Sequence, residues 1–129
     1  MTADNLDEVA GYEAQAREFL AKGREYLAVG DLHQASEKGW GAAAHMAKAV
    51  ASAQGWRYSR HGHFHRIMNQ AQQLTGSDRL RYLHGRAEIL HINYYDLKDE
   101  LNAETIGNDI KDMAELIEIL YPLTGLTSG

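Results

Sequence analysis

The sequence predicts an all-α fold, an up-and-down bundle of four to five antiparallel helices. Three observations carry this. Proline occurs once, at Pro122. Apolar residues recur at three- and four-residue steps through most of the chain. The segments between these runs are short, which makes consecutive helices antiparallel neighbours. A chain of 129 residues is long enough for one domain with a sizeable core and leaves too little for a second. Its ordered part is expected over 5–122, followed by a loose tail at 123–129.

The first helix is expected from Asp4 to Val29, with Val9, Tyr12, Ala16, Phe19, Leu20, Gly23, Tyr26 and Leu27 inward. Gly30 supplies a left-handed stop and Asp31 an N-cap for the next helix. That second helix reaches Gln54, with Leu32, Ala35, Gly39, Ala43, Met46 and Val50 inward. Its many alanines, with Gly39 and Gly41, permit close helix approach. Residues 55–62 read as a loop, 63–74 as a short third helix, and Thr75 to Asp78 as its stop. The fourth helix, 79–101, has the cleanest seam: Leu80, Leu83, Ala87, Leu90, Tyr94, Leu97 and Leu101 alternate in threes and fours. The fifth, 104–121, repeats the pattern with Ile106, Ile110, Met113, Ile117 and Leu120 until Pro122 ends it. Trp40 reads as a core anchor, Trp56 as a loop cover, and His33 and His45 as residues of the small-residue helix.

Composition excludes several classes. The absence of cysteine removes disulfides and cysteine–zinc sites and fits a reducing compartment. The acidic start has no apolar run, so no signal peptide is expected, and no stretch approaches the ~18 apolar residues of a membrane span. The expectation is a cytoplasmic protein with no membrane partner. A net charge of −5 argues against a non-specific nucleic-acid coat but leaves room for a local anion site.

Such a site is suggested between Arg57 and Arg86. This window holds six arginines (Arg57, Arg60, Arg66, Arg79, Arg81 and Arg86), no lysine and one acid, Asp78, for a local charge of +5. His61, His63, His65 and His84 lie within it and His91 just beyond. Guanidinium forks match phosphate oxygens bidentately, and imidazole moves protons near neutral pH. At about 100° per residue, Arg86 and His91 flank the apolar seam of the fourth helix on opposite sides. One straight helix does not bring them onto one phosphate; a symmetric dimer pairing this helix with its copy could. Both lie outside the seam, so their substitution is expected to leave the bundle folded. His84, Glu88, His91 and Tyr95 form a stripe on one flank, which points to a homodimer with this helix near its interface.

Asp31-Leu32-His33-Gln34-Ala35-Ser36-Glu37-Lys38-Gly39-Trp40-Gly41-Ala42-Ala43-Ala44-His45-Met46-Ala47-Lys48-Ala49-Val50 resembles the second helix of HEPN (higher eukaryotes and prokaryotes nucleotide-binding) domains, most closely the archaeal PaREP branch. Leu90-His91-Ile92-Asn93-Tyr94-Tyr95-Asp96 resembles that branch's Leu-His-x-Asn-aromatic-aromatic-acid signature. The resemblance implies a dimerising helical bundle that binds a nucleotide or RNA. Such a protein acts either as a metal-independent endoribonuclease or toxin-like component, or as a silent partner of a nucleotidyltransferase. Arg86-Ala-Glu-Ile-Leu-His91 matches the family's Arg-x(4–6)-His motif. By that resemblance Arg86 would hold the scissile phosphate and His91 would transfer the proton of the attacking 2′-hydroxyl. Active members often carry a polar residue after the arginine; here it is Ala87. The expected ligand contacts are Arg57, Arg60, His61, His63, His65, Arg66, Asn93 and Tyr95.

Two metal patterns compete, although no metal or other cofactor is expected. His61, His63 and His65 could hold a transition ion, but in a helix His63 points away from the other two unless Gly62 bends the chain. Glu88 and His91 form one Glu-x-x-His pair of the kind a ferritin-like di-metal bundle takes from two helices.

Overall fold

The computed structural model describes the backbone of residues 3–96 and 101–127, and the side chains of residues 5–93 and 101–127. The described residues form an all-α bundle of five helices: α1 (Ala3–Ala28), α2 (Leu32–Gln54), α3 (His61–Thr75), α4 (Asp78–Asp96) and α5 (Ala103–Leu120), with a short 3-10 turn at Tyr121–Thr124. Helix boundaries follow local chemistry. Gly30 adopts a φ of 80° between α1 and α2, where the next residue, Asp31, accepts a hydrogen bond from the Gln34 N–H at 3.1 Å. Asn102 caps α5 in the same way, accepting from Thr105 N–H at 2.9 Å.

Cross-helix contacts give the directions. Along α1 and α2, Asn5 meets Ser52, Tyr12 meets His45, and Phe19 lies against Gly41. The pairing numbers fall on one helix as they rise on the other, so the two are antiparallel. The same holds for α4 and α5 (Arg79 with Glu115, Arg86 with Asp109) and for α3 and α4 (His61 with Glu88, His65 with His84). Helix α2 touches every other element and is the axis of the bundle. Its alanines at 35, 42, 43, 47 and 49, with Met46 and Val50, are fully buried. A β-carbon built on Gly23 of α1 would lie 3.6 Å from both the Ala35 carbonyl oxygen and the Gly39 nitrogen, so α1 rests on the backbone of α2.

The seams expected for α4 and α5 are the core. Leu80, Leu83, Ala87 and Leu90 are fully buried, as are Ile106, Met113, Leu116, Ile117 and Leu120. The expected seam positions Tyr94 and Leu97 lie outside the described side chains. Two expectations on boundaries are corrected. Helix α3 starts at His61 rather than at residue 63, because the His63 N–H already bonds the Arg60 carbonyl at 2.9 Å; Gly62 is helical and does not bend the chain. The C-terminal segment also stays packed beyond 123: Thr124 is fully buried, and Gln54 Nε2 donates to the Leu123 carbonyl at 2.9 Å.

Gly11 and Gly23, on the same helix, have opposite surroundings, since a β-carbon at Gly11 meets nothing within 4 Å. In urea titrations, Gly11→Ala is expected to stabilise the bundle by about 0.5–1 kcal/mol by removing glycine's excess unfolded-state freedom. Gly23→Val should cost about 1–3 kcal/mol because it overpacks the α1–α2 contact.

Candidate functional site

Of the six arginines, two are turned to α5. Arg79 pairs with Glu115 at 2.8 Å and Asp112 at 3.4 Å. Arg86 holds Asp109 through two parallel bonds, Nε to Oδ1 at 2.6 Å and a terminal guanidinium nitrogen to Oδ2 at 2.9 Å. Asp109 is 2 % exposed, and this fork is what neutralises it. The Arg86 guanidinium is raised further above its already high range, first by the Asp109 hydrogen bond. Within one chain Arg86 and His91 are not brought together: Arg86 faces α5, while His91 packs between Trp40 of α2 and His61 of α3, with ring centroids 4.7 Å and 4.3 Å away.

Arg81 is exposed on α4 beside Gln72 of α3, and the other three arginines gather near the start of α3. Arg57, Arg60 and Arg66 are exposed, and all three act electrostatically on His63. His63 itself is buried, and its Nδ1 accepts the Ser59 N–H at 2.9 Å, so it anchors the loop from inside. Burial first, then these three cations, lower its proton affinity below the usual histidine range. It does not converge with His61 and His65, which share one face of α3 across from Glu88. The α4 stripe of His84, Glu88 and His91 is covered within the chain by α3 and Trp40. His84 Nε2 lies 2.6 Å from His65 Nδ1, and Glu88 lies near both His61 and His65. That stripe is therefore occupied without a second copy. Asn93 is buried, 8 % exposed, and does not line the adjoining cleft; the side chain of Tyr95 lies outside the described residues.

Beside the arginine loop is a cleft of about 570 Å³ between α1, α2 and residues 58–61. Tyr12 and Phe19 of α1, Trp40 of α2 and Tyr58 of the loop give it aromatic walls. Gly41 and Ala44 leave the space, and Lys48, Arg60, His61 and His91 supply polar groups, with one acid, Glu37, which pairs with Lys38 at 3.0 Å. Lys48 Nζ sits over the Tyr58 ring, 5.6 Å from its centroid, and burial pushes the Tyr58 hydroxyl up to about 12. His45 Nδ1 is 2.9 Å from the Gly41 carbonyl, so the ring donates there and presents Nε2 as an acceptor; burial lowers its proton affinity. Trp40, expected as a core anchor, is a half-buried wall. It meets Phe64 edge-on at 4.8 Å and His61 at 5.1 Å. Of the residues singled out in the sequence, Arg60, His61 and His91 line this cleft; Tyr12, Phe19, His45, Lys48 and Tyr58, which also line it, were not among them. The available signal was the seven-residue step from Tyr12 to Phe19, set against small residues on α2.

Fold and site together define a helical bundle with an aromatic cleft next to an arginine-bearing loop. Residues 12–117 match the model of the archaeal PaREP1/PaREP8 family, and the chain belongs to that family. No curated protein matches it.

The Arg86–Asp109 fork alters what substitution of Arg86 does. Contrary to the sequence-based expectation that the bundle tolerates it, Arg86→Ala leaves a buried carboxylate without its counter-charge. Chemical denaturation should show a loss of about 3 kcal/mol, with a comparable loss for Asp109→Ala. Replacing both partners together by Met and Leu should recover most of it.

Proposed function

We propose that this chain is a HEPN-like nucleotide- or RNA-binding protein whose ligand occupies the cleft between α1, α2 and the 58–61 loop. The observation that carries this is the adjacency of aromatic walls and cations. Bases of any sequence stack on aromatic faces, phosphates pair with guanidinium groups, and both are available within one concavity and its rim. Arg60, which lines the cleft, supplies a phosphate contact, Arg57 and Arg66 extend the cationic surface beyond it, and Trp40, Tyr58 and Phe19 are the stacking faces. His61 and His91 lie at the rim, where they can hydrogen-bond a base edge or ribose. His63, buried, holds the loop backbone at Ser59 from within, and Asn93, also buried, is not a lining residue of the cleft. Binding of a short single-stranded RNA should quench tryptophan fluorescence as a base approaches Trp40. Arg60→Ala should weaken binding for all sequences alike and lower the salt dependence by about one ion; Arg57→Ala should add to it. Binding that ignores salt and both substitutions would refute this reading.

A second reading adds cleavage. The outer surface of α4 carries Tyr82 at 49 % and Ile89 at 37 % exposure, with Gly85 between them. This stripe, beside Arg86, is where a homodimer would form. The cleavage reading needs Arg86 to brace a phosphate with the guanidinium nitrogen outside the Asp109 fork, and the dimer to bring His91, on the opposite flank of α4, to the same phosphate to move the 2′-hydroxyl proton. The protein would then be an endoribonuclease or toxin-like component, and without cleavage a silent partner of a nucleotidyltransferase. Light scattering should report a dimer that Tyr82→Glu with Ile89→Glu makes monomeric. RNA cleavage should leave a 2′,3′-cyclic phosphate and disappear in His91→Ala and in Arg86→Lys, which keeps a charge beside Asp109 but loses the fork. Nucleotide binding without any cleavage leaves the silent-partner form.

A further inference from the structure

His61 Nε2, His65 Nε2 and a Glu88 carboxylate oxygen all lie within 4.8 Å of one another. Glu88 Oε2 stands 3.4 Å from His61 and 3.3 Å from His65, yet it is shielded from solvent and has no hydrogen-bond partner. A carboxylate oxygen in that position, facing two imidazole nitrogens, has the surroundings of a ligand rather than those of a satisfied surface acid. The separations agree with this. Ligand atoms held about 2.0–2.1 Å from a tetrahedral ion are spaced about 3.3–3.4 Å apart, and the two glutamate–histidine edges already have that length. The third edge, between the two histidines, is within 4.8 Å and must shorten as an ion binds.

We propose that His61, His65 and Glu88 form a site for one divalent transition ion of the zinc class, and this inference is independent of the nucleotide reading. It departs from both patterns considered in the sequence, because the glutamate pairs with α3 histidines rather than with His91, and His63 is not a member. Neutral imidazoles with one carboxylate and no thiolate suit zinc, cobalt or nickel. The fold supplies the outer contacts such a site needs. His65 Nδ1 is 2.6 Å from His84 Nε2; with the proton on His65, its Nε2 lone pair is left for the ion. The His61 ring is stacked on His91 at 20° between planes. Three protein ligands leave a fourth position open. Because His61 also lines the cleft, the site adjoins it, and a water molecule or a ligand oxygen would complete the coordination.

The test uses the full chain, without a histidine tag, stripped by chelator and titrated with cobalt(II). The expected result is one ion per chain, with the intense visible absorption of four-coordinate cobalt, displaced by zinc. Glu88→Gln, His61→Ala and His65→Ala should each weaken binding at least tenfold. His84→Ala, which removes only the contact to His65, should weaken it by up to tenfold. His33→Ala should leave it unchanged. Far-UV circular dichroism and melting in chelator check that each variant is folded; His61, exposed at the first position of α3, is the substitution expected to disturb the bundle least. Absence of a saturable signal, weak six-coordinate absorption, or a signal that survives in folded His61→Ala and Glu88→Gln would overturn the proposal.

Discussion

The architecture depends on how narrow α2 is. A helix of alanine and glycine has a small radius, so its neighbours can approach to backbone contact, as α1 does where Gly23 meets Ala35 and Gly39. This lets one helix touch all the others and still bury nearly everything on its inner faces. The price is little apolar area per residue on α2, and the larger side chains of α3, α4 and α5 make it up. Phe64, Ile67, Met68, Leu83, Leu90, Met113 and Leu116 are all essentially buried. The same narrowness produces the cleft: at Gly41 and Ala44 no side chain fills the gap between Phe19 and Trp40.

Charge on α4 is divided between two duties. The flank with Arg79 and Arg86 fastens α5, while the flank with His84, Glu88 and His91 fastens α3. A buried carboxylate needs a fixed counter-charge, and a guanidinium supplies it with a geometry that also sets the rotation of α5 against α4. The arginine concentration that looks like one anion site in the linear chain is thus partly structural. Of the arginines in that stretch not paired with α5, Arg57, Arg60 and Arg66 lie at one end of α3 and Arg81 lies exposed on α4.

The fold was legible because helices and their seams are local patterns. The three-and-four alternation in 80–90 and 106–120 needs no knowledge of the partner, and those residues are buried as their spacing implies. The site was less legible because it is built from pairs far apart in the chain. Glu88 meets His61 and His65, His84 meets His65, and Trp40 meets His91. Spacing within α4 placed Arg86 and His91 on opposite flanks but could not say that one flank faces an acid. A hint was present: Asp109 falls between Ile106 and Ile110 on the inward face of α5, and an acid there calls for a cation. The cleft aromatics were hidden for the opposite reason, since Tyr12 and Phe19 fit the apolar pattern of α1 and read as core.

The connection between α2 and α3 is fastened at several points. Gly55 turns the chain with a φ of 74°, the Trp56 N–H bonds the Ala51 carbonyl at 2.8 Å, Tyr58 packs on the core, and His63 holds the Ser59 N–H from within. A cleft wall tied down in this way keeps its shape before anything enters. Association then carries little entropy cost for ordering backbone, and encounter is governed by diffusion and charge rather than by waiting for a loop to close.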